Sequence, residues 1–379
     1  MGAVRPLNLK ENIEGKRIIV RASLNTPLEH GKVTNAYRVR AALKTIEALC
    51  ARGAKVVILA HIGREKTMSL EPVWEEIQKH TKLPIQFSND IGHAEAQRAV
   101  DSLKNGEAVL LENVRRLAGE KENDPGLAKI YASYGDMFVN DAFADSHRTH
   151  ASIVGIPRYI PSFAGPNFIE EMEGILPART PQSPSVAIIG GAKFLTKEPL
   201  ILQLLETYDK LFIGGALAND FLVAQGHEVG KSLVSHSEHV KPLLKNSKLI
   251  IPTDVVVEGP NGIEVKSVRD INPTESIFDV GPESLAALKP HLGKAKYILW
   301  NGPLGNFENG FKDATESLAK TIAETQGVSI VGGGDTVTAI HDLDINDRFT
   351  FVSTAGGAML DFISNGTLAG IEALKQASV

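Results

Sequence analysis

Five arginines recur where short apolar runs of this chain give way to polar loops. They are Arg21 in "RASLNTP", Arg38 in "YRVRAALK", Arg64 in "HIGR", Arg115 in "LLENVR" and Arg148 in "HRTH". A guanidinium fork pairs bidentately with carboxylate or phosphate, so several converging on one point suit a small, highly anionic ligand. His61 and His147 add donors. Arg21, Ser23 and Asn25 are spaced two apart, which on an extended strand places them in one polar row. Surface salt bridges account for any single arginine. Five at successive run ends point to a basic pocket. The segment "HRTH", with Asp141 and Asp145 nearby, also has the residue types of a metal site. It lacks a third nitrogen or sulfur ligand at suitable spacing, and the neighbouring arginines repel a cation.

The second half carries glycine at the same places: Gly190-Gly191, Gly214-Gly215, Gly302, Gly332-Gly333-Gly334 and Gly356-Gly357. Glycine-rich strand ends opening onto helices offer bare backbone N–H groups to phosphate. "GGAKFLTKEP" adds Lys193 and Lys197, two cations that repel one another unless an anion lies between them. Thr196 is expected as an N-cap there, with Pro199 in the first helical turn. In "GGGDT", Asp335 stands at a helix start, where it either caps the helix or orients Mg²⁺ on nucleotide phosphates. "GHEVGKS", residues 226–232, mimics a P-loop but has three residues between its glycines where four are needed. No G-x-G-x-x-G follows an apolar run, which argues against a dinucleotide-binding dehydrogenase.

The elements that must position these residues alternate along the chain. "RIIV", "KVVILA", "AVLLEN" and "MFVNDA" are separated by helix-like stretches, and "VAIIGG", "KLFIGG", "LIIP", "YILWNG", "SIVGGG" and "FTFVST" repeat the theme. Near-continuous apolar strands between helices read as parallel sheets covered on both faces. Two series in 379 residues predict two α/β domains with a break near residues 165–183, where a short helix leads into the Pro- and Ser-rich "PARTPQSPS". Ligands of such sheets bind outside the carboxyl ends of the strands. A net charge of -5 gives no reason to expect nucleic acid or a membrane surface as partner. The single cysteine, Cys50, fits a reducing cytoplasm, and neither a signal peptide nor a membrane-spanning run is expected.

Taken in order, "RASLNTP", "HIGR", "LLENVR", "FVNDAFADSHRTHAS", "IIGGAKFLTK", "FIGGALANDFL", "WNGPLGNFE", "VGGGDT" and "STAGGA" resemble the motifs of the phosphoglycerate kinase family, from about residue 18 to the C-terminus. The resemblance implies two doubly wound parallel-sheet domains joined by a hinge helix. A phosphoglycerate-binding domain would span 1–165, a hinge helix and linker 166–183 and a nucleotide-binding domain 184–365, with the tail 366–379 packing back on the first. Arg21, Ser23, Asn25, Arg38, His61, Arg64, Arg115 and Arg148 would hold 3-phosphoglycerate or 1,3-bisphosphoglycerate. Gly191, Lys197, Gly214, Gly215, Asn301, Pro303, Glu308, Gly334, Asp335 and Thr336 would bind ADP or ATP, Glu308 accepting from the ribose hydroxyls and Asp335 holding Mg²⁺. Arg38, Lys193, Lys197, Gly356 and Gly357 would stabilise the phosphoryl group in flight, once hinge closure has joined the half-sites.

The chain departs from the family pattern in several places. Ser23 stands for the usual Asp, "TNAYRV" replaces a loop with paired Asp, Glu65 follows Arg64 where Pro is usual, Asn306 replaces Val, and Ala355 begins the last glycine triplet. The implied activity is reversible phosphoryl transfer between 1,3-bisphosphoglycerate and ADP, by a cytoplasmic monomer. The alternatives are a kinase acting on a related phosphorylated acid and a catalytically weak homologue that only binds.

Overall fold

The computed structural model describes residues 4–377; the last two residues of the expected tail lie outside it. Contacts divide the chain into two units, residues 1–173 with 367–379, and residues 174–366.

In the first unit, β1 (Arg17–Ala22) is followed by a small hairpin, β2 (Leu28–Glu29) and β3 (Lys32–Val33), and by α1 (Tyr37–Cys50). Then come β4 (Lys55–Leu59), α2 (Glu71–His80), β5 (Ile85–Ser88), α3 (Ala94–Asp101), β6 (Ala108–Leu111) and α4 (Pro125–Ala132). β7 (Met137–Asp141), β8 (Ser162–Ala164) and α5 (Pro166–Ile175) complete the run, and the division between the units falls inside α5. The strands form a parallel sheet in the order β5-β6-β4-β1-β7-β8. Alternation along β1 explains why its run is apolar throughout. Ile18 and Val20 pack with Leu43 and Ile46 of α1 and Ile77 of α2, while Ile19 packs with Val100 of α3 and Leu127 of α4. The short edge strands β5 and β8 are not announced by apolar runs of their own.

The second unit begins with β9 (Ser185–Ile189), α6 (Phe194–Thr207), β10 (Lys210–Ile213), α7 (Leu217–Ala224), α8 (Val240–Leu243) and β11 (Leu249–Ile250). β12 (Asp254–Gly259), β13 (Gly262–Ser267) and β14 (Ser276–Val280) follow, then α9 (Pro282–Lys294), β15 (Tyr297–Asn301), α10 (Asp313–Ala323), β16 (Val328–Gly332), α11 (Gly334–Asp342), β17 (Phe351–Ser353) and α12 (Gly357–Asn365). Its parallel sheet has the order β11-β10-β9-β15-β16-β17, so all six expected strands pair. β12, β13 and β14 form a separate antiparallel sheet that the sequence reading did not foresee. The final helix, α13 (Ala369–Gln376), returns to the first unit, where Gly370 N donates to Ser146 O and Arg5 holds Ala377 O.

Several helices take their N-terminal caps from carboxylates outside the helix, most of them distant in sequence, with Asp90 just ahead of α3 as the local case. Glu112 accepts from Leu70 N before α2, Asp90 from Ala96 N in α3, Asp141 from Asn167 N in α5, and Asp279 from Ala314 N in α10. Asp254 on β12 accepts from Glu283 N and Ser284 N of α9 at 2.9 and 2.7 Å. Burial pushes the Asp141 and Asp279 carboxyls up, to about 6 and about 7, against the pull of the amides they bind. Asp254→Ala leaves two amides and the Ser284 hydroxyl without their carboxylate, and should destabilise the protein by about 2 kcal/mol in urea unfolding.

Candidate functional site

The predicted arginines come from adjacent strand ends of the first sheet. Arg21 is the last residue but one of β1, His61 follows β4, Arg115 follows β6, and Asp145 and Arg148 follow β7. These four neighbouring strands deliver their loops to the carboxyl edge, where a parallel sheet binds ligands.

At the centre is Asp145, buried to 3% exposure. Arg148 Nη1 donates to its Oδ1 at 2.7 Å, and Arg21 Nη1 and His61 Nδ1 approach Oδ2 at 3.3 Å. Burial alone would raise the Asp145 carboxyl; His61, Arg21 and Arg148 overcome it and hold the group well below the usual range. A second buried carboxyl, Glu120, accepts from Ser152 Oγ at 2.6 Å, and that oxygen accepts from Arg21 Nε at 3.0 Å. Burial pushes Glu120 up despite these partners. Arg115 is lowered by burial, and further by the charges of Arg148 and Arg21. Burial with the charges of Arg21 and Arg115 lowers His61 to about 4, and burial with Arg148, Arg21 and Arg115 does the same for His150.

The expected polar row does not persist, because β1 ends at Ala22 and strand alternation ends with it. These strand-end side chains form a cup of cationic and imidazole groups; Arg21, 1% exposed and turned onto Asp145, Ser152 and His61, gives its donors to protein partners behind the cup rather than standing in its wall. Asn25 Oδ1 accepts from Gly63 N, and its carbonyl accepts from Arg38 Nη1. Asn113 Nδ2 donates to Ile62 O and Met68 O, bracing the same loop, and Arg115 Nη1 donates to Gly63 O. Buried polar atoms at this site without a hydrogen-bond partner among the described residues include Ser23 Oγ, Thr26 Oγ1, His61 Nε2, Arg115 Nε and Asp145 Oδ2, the last held by ion-pair contacts alone. Arg64 is exposed and makes no hydrogen bond or ion pair among the described residues. Asp141 caps α5 and Asp145 is bound by arginine, so the acids beside residues 147–150 serve these partners. Sequence reading missed Glu120 and Ser152: an acid in "GEKEN" looks like a solvated charge run.

In the second unit the glycines correct an expectation. Their amides are not bare. Gly190 N donates to Asn301 O, Gly191 N to Pro303 O, Gly214 N to Ile189 O and Gly215 N to Leu304 O. Gly302 N donates to the Thr336 hydroxyl oxygen. The loops after β9, β10 and β15 are thus locked to one another backbone against backbone, and the Thr336 hydroxyl ties the β15 loop to the start of α11. A Cβ on Gly190 would stand 2.2 Å from Pro303 O, and one on Gly215, where φ is +62°, would stand 2.6 Å from Gly191 N.

Open amides remain where a helix N-terminus leaves its first N–H groups without intrahelical partners. These are at α11, which begins at Gly334 after Gly333, and at α12, which begins at Gly357 after Gly356. Lys193 precedes α6 with a left-handed φ of 64°, uncommon for a side-chain-bearing residue. Thr196 is not the cap of α6: the helix begins at Phe194, its hydroxyl donates back to Lys193 O, and Pro199 lies inside the helix. Lys197 Nζ donates to Ala192 O, and burial together with the Lys193 charge lowers it. Asp335 is no helix cap by hydrogen bond. Burial and the charge of Glu308 raise its carboxyl, and neither acid has an ion-pair partner among the described residues.

A protein with a guanidinium cup on one α/β unit, and paired lysines with open helix N-termini on the other, belongs by fold and site to the phosphoryl-transfer class. The phosphoglycerate kinase family model matches residues 9–366, and the chain belongs to this family. The chain is 42% identical to phosphoglycerate kinase of Zymomonas mobilis over 98% of its own length and all of that protein. Its fold is similar to the Coxiella burnetii enzyme structure (TM-score 0.80, 38% identity, 97% and 98% of the two chains) and to the Pyrococcus horikoshii one (TM-score 0.87, 29% identity, 96% and 97%).

Gly215→Ala should separate the β9, β10 and β15 loops, since the new methyl meets backbone in a left-handed conformation. The variant is expected to lose at least about 1 kcal/mol of stability in urea unfolding and to bind nucleotide more weakly in calorimetry.

Proposed function

We propose that this enzyme transfers a phosphoryl group reversibly between 1,3-bisphosphoglycerate and ADP, giving 3-phosphoglycerate and ATP. The observation that carries the reading is geometric: three guanidiniums, Arg21, Arg115 and Arg148, gather where only two carboxyls, Asp145 and Glu120, stand with them, which leaves a formal excess of positive charge. An anion bearing both carboxylate and phosphate removes that imbalance. Arg38, Arg64, Arg115 and Arg148 take the anionic groups, with Ser23, Asn25 and His61 as neutral partners. Arg21 holds this set in place from behind.

The nucleotide phosphates are read onto Lys193, Lys197 and the α11 N-terminus, beside the loops of Gly191, Gly214, Gly215, Asn301 and Pro303. Phosphoryl transfer asks little covalent chemistry of a protein; it asks for alignment, charge neutralisation and exclusion of water. Lys193 and the α12 amides at Gly356 and Gly357 meet the charge that grows on the transferring group. The residues present fit Mg²⁺. Asp335 has a half-buried carboxyl, a second acid at Glu308 repelling it and no cation paired with it among the described residues, and Mg²⁺ binds by one carboxylate plus phosphates. The ion would neutralise phosphate charge when bound. We read the protein as a cytoplasmic monomer; the free thiol of Cys50 supports the reducing compartment.

A coupled assay of purified protein with 3-phosphoglycerate and MgATP tests the reading; turnover is expected, and its absence sinks the substrate assignment. Lys193→Ala should lower kcat at least about a hundredfold while the nucleotide Kd changes far less, because the lysine acts on charge that peaks in the transition state. Asp335→Asn should raise the Mg²⁺ concentration for half-maximal rate by about tenfold or more, with thermal stability little changed.

A further inference from the structure

Behind the cup of the first unit, one hydrogen-bond pattern decides where a proton sits. Arg21 Nη2 lies 3.1 Å from His61 Nδ1 in hydrogen-bonding geometry. A guanidinium only donates, so Nδ1 must accept. Asp145 Oδ2 approaches the same nitrogen at 3.3 Å and draws a proton toward it, but that contact is the longer of the two and lacks the angles of a hydrogen bond, whereas the Arg21 contact has them. His61 is 2% exposed, and its burial among Arg21, Arg115 and Asp145 keeps the ring neutral near pH 7. A neutral imidazole has one N–H, and with Nδ1 accepting it lies on Nε2, across the ring from Arg21 and Asp145. Nε2 is buried and has no hydrogen-bond partner among the described residues, as is true of Arg115 Nε.

We infer that Arg21 is a positioning residue which fixes His61 as its Nε2–H tautomer, so that a neutral imidazole presents one donor to the bound anion. The arrangement adds a hydrogen bond to the cup without adding a fourth positive charge to three crowded guanidiniums. It also separates two tasks that sequence reading had merged: Arg21 orients, and His61 touches the ligand. Asp145 holds Arg21 in register by its second contact, at 3.3 Å from Nη1. The inference rests on the substrate reading above only for the identity of the anion.

The test uses the full chain with ¹⁵N-labelled histidine. Two-bond ¹H–¹⁵N spectra at pH 7, with the His61 signal assigned by its loss in His61→Gln, should show an unprotonated Nδ1 and a protonated Nε2. In Arg21→Met the proton should shift toward Nδ1, facing Asp145. Wild type in the Nδ1–H form overturns the inference, whether or not Arg21→Met folds. A second measurement uses side-chain reach, since a glutamine amide replaces the Nε2 donor and an asparagine amide replaces Nδ1. The KM for 3-phosphoglycerate should rise about tenfold or more in His61→Asn and no more than about threefold in His61→Gln. Equal or reversed effects overturn it. Turnover without the Nε2–H signature overturns the tautomer alone; the signature without turnover of 3-phosphoglycerate overturns the substrate reading alone.

Discussion

Everything in the first unit turns on the cost of crowding like charges at one sheet edge. Two unit charges about 6 Å apart repel by about 3 kcal/mol at an effective dielectric near 20. Three guanidiniums cannot stay together under that cost without compensation. Asp145 and Glu120 supply part of it from below, one in direct contact with Arg21 and Arg148, the other through Ser152. Both are buried, so each needs its partners as much as the arginines need the acids. The remaining imbalance is the basis on which we propose the cup as an anion site. Burial also keeps His61 and His150 neutral, which prevents the histidines from adding to the repulsion.

The second unit reaches a related end by different means. Its site is built on close backbone approach: the loops after β9, β10 and β15 hydrogen-bond to one another at distances that leave no room for side chains at Gly190 or Gly215. Rigidity of that platform matters because the groups read as acting on phosphate sit at its rim, on Lys193, Lys197 and the starts of α11 and α12. A left-handed Lys193 and a glycine-led α12 are local strains that such a platform can hold in place.

A third device runs through both units. Carboxylates at strand ends close the N-termini of helices far away in sequence, as Glu112 does for α2, Asp141 for α5, Asp254 for α9 and Asp279 for α10. Each cap ties a helix to the strand that carries the acid. An acid at a strand end is therefore either a cap or a site residue, and its position alone does not separate the two. Asp141 and Asp145, four residues apart, fall on opposite sides of that division.

The sequence by itself determined the two α/β units, the parallel strands that carry the site, and the residue types at their ends, because burial on both faces writes continuous apolar runs and loops write polar ones. The family followed from motifs such as "VNDAF" and "WNGP" in order. Tertiary structure decided the division of labour. Arg21 and Arg115 look alike in sequence, yet one is bound by Asp145 and Ser152 and the other keeps a free Nε. Gly191 and Gly356 look alike, yet the amide of the first is bound to Pro303 O while Gly356 leads into the open start of α12. The edge strands β5 and β8 emerged only in the fold, since short strands paired with distant partners leave little periodicity to read; the β12–β13 hairpin, six residues a side about Pro260-Asn261, is a local signal that sequence reading passed over. Periodicity and residue type are local properties that a sequence carries openly. Which donor meets which acceptor depends on contacts between residues far apart in the chain, and only the folded protein brings those together.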